Sequence, residues 1–127
     1  MPVTEYENHF YDIADEMGRK AHLAVNKTVA RIHEEVTLAL AAPKHGHVYG
    51  GHQASAPGEP PANDTGHLTN SVSHRMTGPT EGVVEVGAEY GVYLEMGTSR
   101  MAPRPFLGPA VEKVWPEFEA AMEKITG

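Results

Sequence analysis

Histidine offers this chain its most varied chemistry. Eight histidines occur, and His45, His47 and His52 fall in one short stretch rich in glycine and proline. An H-x-H pair on an extended backbone brings two imidazoles to one ion, which is transition-metal chemistry. Such a site also needs a rigid supporting shell. Glu59 and Asp64 are the nearest acids, and they lie across glycines and prolines. The stretch therefore reads as solvated loop histidines, with a metal-binding or hydrolytic loop as the alternative from another class. Serine, histidine and aspartate are all present, yet no G-x-S-x-G turn places a serine. Neither a G-x-G-x-x-G nor a G-x-x-x-x-G-K-[ST] phosphate loop is found. The adjacent acids Asp15–Glu16 and Glu34–Glu35 fall on the polar side of a helical stripe, where solvation accounts for them. With no cysteine, disulfides, thiolate metal sites and cysteine nucleophiles are excluded. No enzymatic activity is expected, and no catalytic, cofactor-binding or metal-ligating residue is assigned. Arg100 and Arg104 flank Met101-Ala-Pro between two apolar segments. They are either solubilising charge or a bidentate pair for a partner's carboxylates, which arginine's planar fork favours.

The elements that must hold these residues read as an α+β chain. It has a long N-terminal helix, a long Pro/Gly-rich loop, a small antiparallel sheet and a C-terminal helix. At 127 residues one domain is expected over 1–127, with a flexible arm at 43–63. From Glu5 to Ala42, Phe10, Ile13, Met17, Ala21, Ala24, Thr28, Ile32, Val36 and Leu40 recur every three or four positions. Thr4 is the expected N-cap, with Glu7 completing a capping box. Pro43 ends the run, because it disfavours helical backbone at Ala42. At 1.5 Å per residue such a helix spans roughly 55 Å, while a compact domain of this size has a radius of gyration of ~14 Å. Either the helix breaks near Gly18 or its stripe continues onto a neighbouring subunit.

Pro43 to Asn63 shows no apolar period, and long unpatterned loops are usually functional or disordered. It is expected to order on contact with neighbouring subunits. Asp64 or Thr65 should cap a short turn through Leu68. Ser71 to Met76 and Val83 to Ala88 read as a hairpin turning through Gly78–Gly82. Tyr90 to Met96 suits a helical turn with Gly97 as its C-cap. Arg104 to Ile125 reads as the last helix, with Pro105 in its first turn. Phe106, Leu107, Val111, Val114, Trp115, Phe118, Met122 and Ile125 mark its apolar face. Pro116 should kink it or start a second helix. The Tyr90–Gly97 turn, the Phe106–Phe118 face and the hairpin are expected to share the core.

The formal net charge is −7 with histidines neutral, and acids outnumber bases in each third of the chain. Tight, sequence-independent nucleic-acid binding needs a basic footprint, so that class is excluded. An anionic membrane surface is disfavoured for the same reason. No apolar run approaches the ~18 residues of a spanning helix. The opening residues, Met1 to Glu7, are polar and acidic and do not read as a secretory signal.

Four phrases stand in order along the chain. They are Ser55-Ala-Pro-Gly-Glu-Pro-Pro61; Asp64-Thr-Gly-His-Leu68 with Ser71; Val86-Gly87 with Tyr90-Gly-Val-Tyr-Leu-Glu-Met-Gly-Thr98; and Met101-Ala-Pro-Arg-Pro-Phe-Leu107 with Pro109-Ala110. In this order and spacing, over roughly 55–112, the chain resembles the small head–tail joining proteins of long-tailed double-stranded DNA phages, also called neck or tail-completion proteins. The resemblance implies an α+β subunit of a homo-oligomeric ring in the virion, made in the host bacterial cytoplasm. It implies a place at the head–tail junction, other neck, connector and tail proteins as partners, and genomic DNA passing through the lumen. It implies no catalysis, no cofactor and no membrane. A tail-terminator ring that caps the tail tube is the neighbouring role. His67 stands where the family often has a stronger base, and Met96 where it often has an aromatic residue. The subunit and partner interface is assigned to Pro57, Glu59, Pro60, Asp64, His67, Arg100 and Arg104. An acidic balance suits a DNA conduit, since excess carboxylates let a duplex slide where a basic lining would grip phosphates.

Overall fold

The computed structural model describes residues 3–46, 48, 49, 52–62 and 66–126, with the backbone alone for 3–13, 48, 49, 52 and 53. Helix α1 (Val3–Ala41) is a single run of 39 residues, about 58 Å long at 1.5 Å per residue. It passes through Gly18 without interruption, which removes the first of the two alternatives, a break there. It begins one residue ahead of Thr4, so Thr4 lies in the first turn and is not the cap. Its stripe is used unevenly. Val29, Ile32, Val36 and Leu40 are buried, whereas every residue from Ala14 to Lys20 is exposed. The C-terminal half of α1 therefore belongs to the core, and its N-terminal half extends past it.

The stretch after Pro43 was expected to be unpatterned. It carries a short antiparallel pairing of β1 (Val48–Tyr49) with β2 (His52–Gln53). The Gly46 N–H donates to the Ala54 carbonyl at 2.9 Å and continues that pairing. His47, Gly50, Gly51 and Asn63 lie outside the described residues. Helix α2 (His67–Ser71) has Gly66 at its N-cap, in the left-handed region at φ 75° and without a side-chain cap. The expected caps Asp64 and Thr65 lie outside the described residues.

Strands β3 (Val72–Gly78) and β4 (Glu81–Val86) form the antiparallel hairpin, with Val72 opposite Val86 and Arg75 opposite Val83. A register shift between Met76 and Gly78 leads into the Pro79–Thr80 turn. Helix α3 (Gly91–Met96) ends at Gly97, as its pattern predicts. Helix α4 (Gly108–Thr126) starts later than expected, so Pro105 lies in the linker and Pro109 in the first turn. There the missing N–H of proline costs no intrahelical bond. Pro116 sits inside one continuous helix and does not begin a second.

Helices α1 and α4 run antiparallel, because Arg31 pairs with Glu117 while Glu35 pairs with Lys113. Between them and the hairpin lie Ile32, Val36, Leu40, Leu68, Val72, Ala88, Phe106, Ala110 and Val114, with Leu94, Val84 and Val86 packed against them. Trp115, expected on the buried face, is about half exposed. It follows Val114 directly, so the helical turn swings it off the face that Val114 buries. Among the described residues no helix is long and apolar enough to cross a membrane.

Candidate partner interface

Gly97 sets the geometry of this region. Its φ of 77° ends α3, and a Cβ there would sit 2.9 Å from the Pro103 ring. Only glycine serves where the backbone turns left-handed and is approached so closely. The chain then reverses. The Thr98 N–H donates to the Met101 carbonyl at 2.9 Å, and the Arg100 N–H donates to Thr98 Oγ1 at 3.2 Å. Arg100 is thereby carried, exposed, at the tip of the reversal. On the way back the Arg104 N–H donates to the Leu94 carbonyl at 2.7 Å.

The returning strand is then locked by Glu95. Its Oε1 accepts the N–H groups of Phe106 at 3.0 Å and Leu107 at 2.8 Å, and its Oε2 accepts that of Gly108 at 3.0 Å. These are donors that the start of α4 cannot satisfy within the helix. A carboxylate there also meets the positive end of the helix dipole. Reading residues by type and neighbourhood gave Glu95 no role of its own. Its partners lie 11 to 13 positions away, and no local pattern announces them.

Two of the other phrases meet this one. The Gly58 N–H donates to the Pro103 carbonyl at 2.9 Å, which seats the Pro57 turn beside Arg104. The Arg104 guanidinium reaches the carbonyls of Ala102 at 3.3 Å and Ser55 at 3.5 Å. His67 stacks on Tyr90 with ring centroids 5.8 Å apart and planes 26° from parallel. Beneath that pair, α3 lies close on the sheet, since a Cβ on Gly91 would come within 2.9 Å of Val86.

Glu59 is engaged from behind. The carboxylate accepts the His45 N–H at 3.0 Å and lies 3.0 Å from the His45 ring nitrogen. Partial burial works against the charge, but these bonds and one from the Ala56 backbone hold the Glu59 carboxyl below its ordinary value. The distance in sequence between His45 and the nearest acid is thus closed in space. His45 remains largely solvated, and His47 and the His52 side chain lie outside the described residues. Among the described residues no group of three or more histidine, aspartate or glutamate side chains could hold a metal.

Of the interface residues expected from sequence, Pro57, Glu59, Arg100 and Arg104 lie along connected turns, and His67 lies at the α3 side of the same region. Pro60 instead lines the cleft between α1 and the start of α4, with Leu38, Phe106 and Pro109. Asp64 lies outside the described residues. Sequence reasoning missed the apolar exposure of α3, which it assigned to the core. Val92 is 65% exposed, Tyr93 59% and Met96 74%, while Gly91 is buried and Leu94 packs against the core. The outcome is a surface of exposed apolar and aromatic side chains on α3, followed along the chain by the exposed Arg100 and the half-buried Arg104. No family model, curated protein or solved structure matches the chain.

Proposed function

We propose that this chain is a neck or tail-completion subunit of a long-tailed double-stranded DNA phage. In this reading copies form a ring that joins the portal or connector of the head to the tail and leaves a lumen for the genome. One observation carries it. The four phrases that resemble the head–tail joining proteins, separate in sequence, are stitched to one another through Gly58–Pro103, Arg104–Leu94 and His67–Tyr90. Within this region Val92, Tyr93, Met96 and Arg100 are all exposed. The net charge of −7 also suits a conduit through which DNA must move without being held.

The test is electron microscopy of particles from a phage in which this coding sequence is inactivated. Filled heads and separate, normal-length tails should accumulate, and supplying the chain in trans should restore joined particles. Tails of irregular length would assign the chain to tail termination instead. Joined, infectious particles without the chain would overturn the reading.

A further inference from the structure

His33 on α1 and His74 on β3 are 41 positions apart in sequence, and their Nδ1 atoms lie 2.6 Å from each other. The rings meet edge to face, with centroids 4.9 Å apart and planes 72° from parallel. His33 is half-buried and His74 is exposed, so the gap between the nitrogens opens to solvent. We propose that His33 and His74 form a two-imidazole site for a late first-row divalent cation, Zn²⁺ or Cu²⁺, which staples α1 to the hairpin.

Imidazole nitrogen is a preferred ligand of these ions, and Cu²⁺ binds such donors most tightly. Metal–nitrogen bonds of about 2.0–2.1 Å place two ligand nitrogens about 2.9–3.4 Å apart, from square-planar to tetrahedral angles. The pair therefore opens by less than about 1 Å on binding, and each ring tilts by about 35–45° to aim its Nδ1 lone pair off the N–N axis at the ion, a rotation open to the broad χ2 of histidine. In the free protein one imidazole donates its Nδ1–H to the other. On binding, that proton moves through solvent to Nε2 of the same ring, and both Nδ1 lone pairs go to the ion. Burial, and then the neighbouring His74, push the His33 imidazole below its ordinary value, which favours the neutral ligand form. The nearby Arg75 and Glu85 are occupied with each other at 2.7 Å. Among the described residues no third histidine or acid joins the pair, so water completes the coordination and the ion exchanges. This site is separate from the His45–His52 stretch and does not depend on the phage reading.

The experiment is a titration of the full chain with CuCl₂ followed by amide NMR, with ZnCl₂ in a parallel thermal melt. At one tenth of an equivalent of Cu²⁺, the resonances around 33 and 74 should broaden first. Zn²⁺ at 1 mM should raise Tm by about 3 °C or more, reversibly with EDTA. Both effects should vanish in His33→Asn and, as a second variant at an exposed strand position, in His74→Asn. They should survive in the triple variant His45→Ala, His47→Ala, His52→Ala. Broadening that begins in 45–52, or that persists unchanged in His74→Asn, would overturn the proposal.

Discussion

The carboxylate of Glu95 accepts the backbone N–H of Leu107 at 2.8 Å, so a side chain on one short helix caps the start of another. Phe106 and Gly108 donate to the same group. Hydrogen bonds to a charged acceptor contribute about 1.5–3 kcal/mol, and loss of a cap about 0.5–2 kcal/mol. Glu95→Ala should therefore cost about 2–3 kcal/mol in a urea melt. Glu95→Gln keeps acceptors but not the charge, and should cost about half as much. Equal, negligible losses in both variants would show that α4 starts without this cap.

Phe106 is 2% exposed and touches both helices' core residues, whereas Leu94 is half-buried. Phe106→Ala should cost about 3–5 kcal/mol and Leu94→Ala about 1–3 kcal/mol, as cavities scale with burial. Trp115→Ala should stay within about 1 kcal/mol despite the size of the indole, because half of it faces water. A thermal melt in which Trp115→Ala is the most damaging of the three would contradict the orientation of α4.

The local features of this fold are legible in its sequence, and the long-range ones are not. The buried half of α1, the hairpin and the Gly97 cap are local features, so periodicity and a single glycine suffice for them. Trp115 shares the apolar stripe with Val114, but neighbours lie about 100° apart around a helix, and only the packing shows that Val114 takes the core side. Pro105 and Pro109 both suit a first turn, and only the placement of Glu95 over Phe106–Gly108 shows which one begins α4. The Gly58–Pro103 and His33–His74 contacts join positions 45 and 41 apart, where no spacing rule reaches. Helix α3 is legible only in part. Its type was legible, but the exposure of Val92, Tyr93 and Met96 depends on which face Leu94 turns inward.

Acid should loosen the packing of α1 on α4. The Lys113 ammonium, 2.9 Å away, holds the Glu35 carboxyl below its ordinary value of 4.5, with Arg31 assisting. Glu35 is only 11% exposed. Arg31 likewise lowers Glu117. The sign follows from proton counting. A carboxyl with a depressed folded value binds fewer protons than in the unfolded chain, so its stabilisation is complete above about 4.5. It is lost as pH falls through the folded value. The stability difference between the native chain and Glu35→Gln should be flat above about pH 5 and shrink below it. A difference that grows on acidification would reverse the assignment.

Arg100 and Arg104, alike in sequence, hold different positions in the fold. Arg100 is exposed and, among the described residues, is engaged through its backbone N–H to Thr98. Arg104 is half-buried and donates to the carbonyls of Ala102 and Ser55. Arg100→Ala should therefore move the melt of the free subunit by no more than about 0.5 kcal/mol. Arg104→Ala should cost about 0.5–1.5 kcal/mol, the net worth of one hydrogen bond, and loosen the seat of the Pro57 turn. On a partner's surface the order should reverse. A desolvated arginine–carboxylate pair costs about 2–5 kcal/mol when one member is truncated, against about 0–1 kcal/mol for an exposed pair. Arg100, the more exposed of the two, is the better placed to make it. In the phage test, Arg100→Ala should leave a folded subunit that fails to join heads to tails. Arg100→Lys keeps the charge but not the planar fork, and should restore only part of the yield. Normal numbers of joined particles from Arg100→Ala would reduce this guanidinium to solubilising charge.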